Sequence, residues 1–295
     1  GNSLGSGQTY QWEKSASLAG PYTNIGASQA IPTLIVNPTA TEYYRCKVTC
    51  SGNTQTSTET LVSVSAAFPG GNYTINSALP TGGTNFQSFT DAVSAISCGI
   101  SGPVVFDVDP GSGPYTEQIT LPATIGATAV NTVTFNGNGR KIRFNSTNSA
   151  ARHVIKLDGA DYITINDLSI DTLAGVANTY NWGIHMTNGA DYNTISLCTI
   201  NTNRDNTTAG SFQPIVLSNS TTSTTTAGNN GNYNTFIDNT LVGGYYGITL
   251  CGNAAGTENL GNVVSNTTIR DFYNYGVYLL YQKSGSVSRC DISRP

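Results

Sequence analysis

The sequence predicts an all-β protein in which a small antiparallel sandwich precedes a coil of repeated short strands. Only 10% of the 295 residues are charged, and Thr, Asn, Ser and Gly supply most of the polarity, which suits extracellular β-structure. Short β-like runs alternate with turn signals along the chain. The motif GADYITINDLSI at residues 159–170 returns as GADYNTISLCTI at residues 189–200, which indicates a structural period.

Composition also excludes several classes of partner. The net charge is -4 and no basic block occurs, so the electrostatic footprint for nucleic acid or anionic lipid is missing. No apolar run approaches the ~18 residues of a membrane span. The six cysteines form no CxxC pair, which gives a zinc site or redox pair little support. We therefore expect no nucleic-acid partner, no membrane insertion, no metal and no cofactor.

Residues 1–66 read as an antiparallel sandwich with the strands TYQWEKS, EYYRCKVTCSG and TLVSVSA. Trp12 is placed to fill a core, and Tyr44 precedes Cys46 by two residues. In the segments YQW and TEYYRCKVTCSGN this region resembles the bacterial immunoglobulin-like modules of long Bacteroidetes surface proteins. The resemblance implies an immunoglobulin-like domain.

This predicted sandwich is incomplete at its N-terminus, because only eleven residues precede Trp12. Cys46 and Cys50 lie four residues apart on one strand, a span of ~13 Å, whereas a disulfide needs Cα atoms within ~7 Å. We expect either that the chain is a piece of a longer polypeptide or that a strand-donating partner completes the sheet.

Residues 67–295 begin with one short helix and continue as repeats. The helical spacing joins four apolar residues, Phe86, Phe89, Val93 and Ile96. Ser88 and Asp91 fit a capping box, and Gly99 can end the helix. We expect this helix to cap the coil that follows.

Two kinds of strand recur in the coil. The first opens on an apolar anchor and closes on a second apolar residue five positions later, in the pairs Ile165/Ile170, Ile195/Ile200, Phe236/Leu241, Val264/Ile269 and Val287/Ile292. The second reads GI-x-L or a variant, with inward positions at Ile155/Leu157, Ile184/Met186, Ile215/Leu217, Ile248/Leu250 and Val277/Leu279. Stacking such turns ~4.8 Å apart would align equivalent side chains in ladders. Cys198, Cys290 and Asn239 fall at one inward position, where Asn239 can form a hydrogen-bonded step.

From residue 67 onward the chain resembles the pectin-lyase-like β-helices of bacterial secreted proteins, in its DY/NY-x-T-(I/F) openings and GI-x-L strands. The resemblance implies a right-handed parallel β-helix with an N-terminal helical cap, and it specifies fold more than activity. Surplus residues in the longest repeat, NTNRDNTTAGSFQ and STTSTTTAGNNG, are expected to form loops on a binding side.

The residue between the two inward positions of each GI-x-L strand defines an outward column: Lys156, His185, Val216, Thr249 and Tyr278. We take Lys156, His185 and Tyr278 as candidate ligand-binding residues, with Lys156 and His185 able to act as base and charge neutraliser in a β-elimination. The simpler interpretation is that they are solvated strand residues. Most nearby Asp residues sit at strand ends or turns, so no carboxylate pair of a glycosidase is identified.

Two functions remain open. The first is a non-catalytic surface or extracellular adhesin or structural protein, with a role in attachment, gliding or fibre formation; the Bacteroidetes resemblance implies type IX secretion. The second is a carbohydrate-active enzyme or polysaccharide-binding module that uses the outward column. Because the chain stops within a repeat, at CDISRP, we expect further repeats or a second copy stacked on the end.

Overall fold

The structure, a computed structural model, describes residues 7–172 and 179–294. The chain divides into two compact units, Gly1–Ala66 and Ala67–Pro295. Apart from one short helix, every regular element of the described residues is a β-strand, so the all-β prediction is confirmed. Within these ranges no helix has the length and apolar character needed to cross a membrane.

Unit 1 contains a single antiparallel sheet in its described part. Its strands are β1 Gln8–Ser15, β2 Thr23–Asn24, β3 Glu42–Cys50, β4 Asn53–Thr56 and β5 Thr60–Val62. The order is β2-β1-β3-β4. Strands β4 and β5 share one edge of β3: β4 pairs with residues 47–50, and β5 pairs with residues 42–44. Trp12 lies opposite Cys46 across β1 and β3, and Cys46 and Cys50 are both free thiols. The predicted two-sheet immunoglobulin-like sandwich is therefore not confirmed.

Unit 2 is a parallel β-solenoid of about seven turns, as the repeats predicted. Its elements, in chain order, are β6 Gly71–Ile75, β7 Asn85–Phe86, α1 Phe89–Ala95, β8 Val104–Val108, β9 Tyr115–Thr116, β10 Ile119–Pro122, β11 Val133–Asn136, β12 Lys141–Arg143, β13 His153–Asp158, β14 Ile163–Asn166, β15 Ser169–Asp171, β16 Asn181–Thr187, β17 Thr194–Ser196, β18 Thr199–Asn201, β19 Phe212–Leu217, β20 Thr235–Ile237, β21 Thr240–Val242, β22 Tyr246–Cys251, β23 Asn259–Leu260, β24 Val263–Ser265, β25 Thr268–Arg270, β26 Tyr275–Leu280, β27 Gln282–Lys283, β28 Ser286–Ser288 and β29 Asp291–Ser293.

Three long sheets run along the solenoid. Sheet I has the order β10-β13-β16-β19-β22-β26, sheet II has β28-β24-β20-β17-β14-β11-β8-β6-β7, and sheet III has β29-β25-β21-β18-β15-β12-β9. Each complete turn contributes one strand to sheet II, then sheet III, then sheet I. Each strand inside these sheets therefore pairs with its equivalent in the turns before and after it, and only the strands at the two ends of a sheet have a single partner, which leaves few unpaired backbone groups inside the coil.

The predicted ladders pair in the predicted register. In sheet II, Ile165 pairs with Ile195, which pairs with Phe236, and the ladder continues to Val264 and Val287. The ladders that begin at Ile155 and Leu157 in sheet I and at Ile170 in sheet III are equally continuous. Most of these side chains are less than 3% exposed, so they form one apolar core along the axis.

Buried asparagines hold the turns between sheets. Asn239 donates from Nδ2 to the Ile195 carbonyl and accepts from the Cys198 amide, both at 2.9 Å, which confirms the predicted hydrogen-bonded step. At another corner, the Asn193 amide donates to Asn234 Oδ1 at 2.9 Å. Side-chain amides thus satisfy backbone groups where the strands stop, which a buried corner requires.

Helix α1 begins where the sequence predicted, with Ser88 as its N-cap, and the Asp91 amide donates to Ser88 Oγ at 3.0 Å. It is shorter than the apolar spacing suggested, because Phe86 belongs to strand β7. Phe89 and Ala92 are buried in the solenoid core, and the helix packs against β10. That α1 caps the N-terminal end of the solenoid stays a prediction.

Candidate binding site on the outer face of sheet I

The predicted outward column exists, but its centre is not exposed. Lys156, His185, Val216, Thr249 and Tyr278 pair in one register across sheet I. His185 is 1% exposed, and Val216 and Thr249 are fully buried. The interpretation of these outward residues as solvated is therefore wrong for His185.

The surplus segments explain part of this burial. The carbonyl of Gly210, in the loop between β18 and β19, accepts hydrogen bonds from Trp182 Nε1 at 2.7 Å and from Arg152 Nη1 at 2.6 Å. In the loop after β19, Asn230 Nδ2 donates to the Cys251 carbonyl at 2.7 Å. The surplus residues thus form loops, as predicted, and these loops lie against the outer face of sheet I; their role in binding stays a prediction.

We call one enclosed part of this face the covered patch, and define it by four residues that are at most 7% exposed. These residues are His153, Trp182, His185 and Gln213. The rings of Trp182 and His185 meet edge to face, with centroids 5.0 Å apart. His185 Nε2 donates to the Ser218 carbonyl at 2.9 Å. The covered patch thus forms a second, smaller core outside the coil.

Burial sets the protonation state of both histidines. It lowers the pKa of His185 to about 4, against a smaller opposing effect of the hydrogen bond to Ser218. Burial, with smaller contributions from the neighbouring His185 and Lys156, also lowers the pKa of His153 to about 4. Both rings are neutral at pH 7. A neutral His185 whose Nε2 proton is held by a carbonyl is poorly placed to exchange a proton with a ligand.

Lys156 has its own partner. Its Nζ donates to Asp158 Oδ2 at 2.7 Å, and the side chain is 15% exposed. Burial raises the pKa of Asp158, but hydrogen bonds from Lys156 and Asn188 outweigh it and leave the pKa below its ordinary value. Lys156 and Asp158 therefore form an ion pair beside the covered patch.

Sheet I has a second outward column that strict alternation did not predict. The alternation of inward and outward side chains is interrupted at a glycine in β16, β22 and β26. A Cβ on Gly183, Gly247 or Gly276 would lie within 2.4 Å of an isoleucine of sheet III, so all three glycines face the core. The residue that follows each glycine also faces the core, so two consecutive residues point inward. The residue that precedes the glycine therefore points outward. A glycine inside a strand pattern signals such an interruption, and that signal was available in the sequence.

The second column carries aromatic rings into the later turns. Trp182 pairs with Gln213, and Tyr246 pairs with Tyr275 in the following strands of the same register. Strict alternation would have placed Trp182 in the core with Ile184. The ring contacts of Trp182 and Tyr246 instead lie among outward residues.

Around this column five tyrosines form what we call the tyrosine cluster: Tyr245, Tyr246, Tyr273, Tyr275 and Tyr278. Their ring centroids lie 4.8–6.2 Å apart along the contacting pairs. Tyr246 stacks on both Tyr275 and Tyr278, at interplanar angles of 17° and 25°. The dipeptide Tyr245-Tyr246 and the segment YNYG at 273–276 were visible in the sequence, but only pairing shows that they meet.

The tyrosine cluster remains open to solvent. Tyr275 is 51% exposed and Tyr273 is 39% exposed, in contrast to the covered patch. Arg294 lies over the Tyr273 ring, 5.5 Å from its centroid, and Asn274 is exposed between the two tyrosines. Aromatic faces and edges with amide and hydroxyl groups nearby suit a ligand that has both apolar and hydrogen-bonding surfaces.

The predicted site residues are thus divided. Tyr278 belongs to the tyrosine cluster, whereas His185 lies in the covered patch and Lys156 beside it. Binding by any of them stays a prediction. Among residues 7–172 and 179–294, no group of three or more His, Cys, Asp or Glu residues is arranged to hold a metal ion.

No protein-family model, curated protein or solved structure matches this chain.

Proposed function

We propose that this protein is a non-catalytic adhesive protein of the cell surface or extracellular space, in which the solenoid is a rigid scaffold and the tyrosine cluster binds a neutral glycan. The observation that carries the proposal is the tyrosine cluster itself. Three of its five rings, those of Tyr246, Tyr275 and Tyr278, stand on the paired strands β22 and β26 of sheet I, so ordering these three on binding costs little entropy.

The chemistry of the cluster favours a sugar over a charged ligand. The C–H faces of a pyranose pack against aromatic rings, and its hydroxyls find phenol and amide partners such as Asn274. Arg204 and Arg294 are nearby, but Asp271 pairs with Arg204 at 3.3 Å, which offsets part of their positive charge. The rings of the cluster carry no charge, so a neutral glycan can pack against them without a charged partner.

The covered patch supports a non-catalytic assignment for the predicted pair. His185 is enclosed, neutral and hydrogen-bonded to Ser218, and Lys156 is engaged by Asp158. A β-elimination would need both groups to reach the same sugar ring. The enzyme alternative thus has less support from these two residues than the sequence suggested.

The finer assignments of fold and location belong to this proposal. We infer that unit 1 is an immunoglobulin-like module, supported by Trp12 opposite Cys46 and by the buried Tyr44. We further infer a right-handed, pectin-lyase-like coil capped by α1, in an exported protein. Corners satisfied by uncharged asparagines accord with the low charge of the chain and with an extracellular setting.

A glycan array probed with the whole chain tests the proposal. We expect binding to one or more neutral glycans, and loss of about tenfold in affinity, equivalent to about 1.4 kcal/mol, when both Tyr275 and Tyr278 are replaced by Ala. The matched control is Tyr192→Ala. Tyr192 is 46% exposed and stacks between Tyr162 and Tyr233, away from the tyrosine cluster.

Two outcomes contradict the proposal. Equal losses in the double variant and in Tyr192→Ala would show that the tyrosine cluster is not the binding surface. Shortened or unsaturated products from any bound glycan, abolished by Lys156→Met or His185→Gln, would establish an enzyme in place of an adhesin.

A further inference from the structure

A basic groove lies over the first turns of sheet III. Its volume is about 340 Å³, and its lining includes Arg140, Lys141 and Arg143 together with Gly113 and Gly139. Three of the 13 Lys and Arg residues of the chain thus occur within four positions. No acidic side chain is among the described residues that line the groove.

Strand β12 directs two of these cations outward. Ile142 is fully buried in the core, so Lys141 and Arg143 on either side of it point away from the coil. Lys141 Nζ donates to Asp171 Oδ2 at 2.8 Å, and its side chain remains 41% exposed. Asp171 balances one of the three cations, which leaves an excess of two positive charges around the groove.

Both arginines have hydrogen-bonding capacity left over. The Nε atoms of Arg140 and Arg143 are buried and have no hydrogen-bond partner among the described residues. A buried donor without a partner costs about 1–3 kcal/mol, so a change of side-chain rotamer that brings either Nε to a ligand oxygen is favoured. Two guanidinium groups beside one groove are suited to oxygens held in a fixed geometry.

We propose that this groove binds a tetrahedral oxyanion, a sulfate or phosphate group, held by Arg140, Lys141 and Arg143. Three donor side chains match three free oxygens of such a group, whereas a carboxylate offers only two. The dianionic charge of a phosphate also matches the local excess of two positive charges.

Glycine keeps the groove accessible. Gly139 has φ +68°, and a Cβ on it would meet no atom within 4 Å, so the space beside it is open. An oxyanion can therefore approach the backbone next to Arg140 without displacing a side chain. The site is independent of the tyrosine cluster, which lies on another sheet.

Isothermal titration calorimetry of the whole chain at low ionic strength tests this site, with sodium sulfate and sodium phosphate as probes. We expect millimolar or tighter binding that weakens as sodium chloride is added. Arg140→Gln and Arg143→Gln should each reduce affinity about tenfold, since a charge-assisted hydrogen bond is lost. In NMR spectra the Gly113 and Gly139 amide signals should shift on titration.

The matched control is Arg270→Gln. Arg270 is an exposed arginine in the same outward column of sheet III as Arg143, but it does not line the groove, and its loss should leave binding unchanged. Glucose 6-sulfate and glucose 6-phosphate distinguish the source. Tighter binding of these esters than of the inorganic ions supports a sulfated or phosphorylated sugar, and equal binding supports the free ion.

Three results would overturn the proposal. The first is a Kd weaker than about 10 mM for every sulfate and phosphate probe. The second is an equal loss of binding in Arg270→Gln, which would show nonspecific charge attraction. The third is equal affinity for sodium acetate, which would show that three oxygens are not required. Thermal melts of each variant separate weakened binding from unfolding.

Discussion

The covered patch and the tyrosine cluster occupy equivalent positions on the outer face of one sheet, yet they have opposite environments. Trp182 and Tyr275 belong to one outward column, and His185 and Tyr278 belong to the other. Trp182 and His185 are no more than 1% exposed, whereas Tyr275 is 51% exposed. Loops account for much of this difference, since the same pairing register runs through both regions.

This contrast shows that the direction of a side chain and its exposure to solvent have different causes. Strand pairing decides whether a side chain leaves the coil, and the loops between strands decide whether it then meets solvent. The long loop after β18 lies over Trp182, while the connection between β25 and β26 is short and leaves Tyr273 and Tyr275 open. In this solenoid, loop length therefore leaves the outer face of some turns enclosed and that of others open to solvent.

The largest expected effect that tests this contrast is on stability. Trp182→Ala should destabilise the protein by about 3–5 kcal/mol, because it empties an enclosed space and leaves the Gly210 carbonyl with one donor fewer. Tyr275→Ala, in the same column, should cost less than about 1 kcal/mol. Chemical denaturation followed by circular dichroism measures both.

Equal costs for the two substitutions would break the comparison, because they would mean that the loops do not turn the covered patch into a core. Trp182→Phe provides the control. It keeps an aromatic ring in the patch but removes the indole donor, so its smaller cost separates packing from hydrogen bonding.

The next largest effect is acid destabilisation of the covered patch. His153 and His185 have pKa values of about 4 in the folded protein, whereas an unfolded histidine titrates near 6.5. Between about pH 6.5 and pH 4 the two histidines are mostly protonated in the unfolded chain and mostly neutral in the folded chain. Stability should therefore fall by about 3 kcal/mol per histidine as the pH drops through that range, and level off below it.

Comparison of the wild type with His185→Gln isolates this effect from the titration of carboxylates. The Trp12→Phe background leaves Trp182 as the only tryptophan, so fluorescence then reports on unfolding of the covered patch. The variant should lose about 3 kcal/mol less than the wild type on acidification from pH 7 to pH 4. Parallel pH profiles would show that His185 is not enclosed as a neutral ring.

The residues that face the core of the solenoid were predicted from the sequence more accurately than the residues that face outward. Period-two alternation and the repeated anchors determine which residues face the core, so the ladders through Ile165, Ile155 and Ile170 have the predicted register. Each of these residues sees the same environment in every turn. Repetition therefore makes the inward pattern readable from a single sequence.

The residues that face outward depend on features that do not repeat. Exposure of His185 depends on a neighbouring loop, whose path over the sheet is not encoded in the strand pattern. The position of Trp182 depends on a break in alternation at Gly183, which strict period-two assignment overlooks. Alternation identified Tyr278, but it did not identify the four partners of Tyr278 in the tyrosine cluster, which come from the two segments 245–246 and 273–275.

The smallest effect concerns Lys156, which lies at the edge of the covered patch. Lys156→Met keeps most of the aliphatic stem and removes the charge, and we expect a loss of about 1 kcal/mol because the pair with Asp158 is only partly buried. The more specific readout is the Asp158 carboxyl pKa, measured by NMR titration. It should rise, since the hydrogen bond and charge of Lys156 hold it below its ordinary value.

An unchanged Asp158 pKa would show that the pair does not persist in solution and that Lys156 is free, as a ligand-binding residue would need to be. Lys141→Met provides the matched control, because it breaks the other lysine–aspartate pair, Lys141–Asp171, and should leave the Asp158 pKa unchanged.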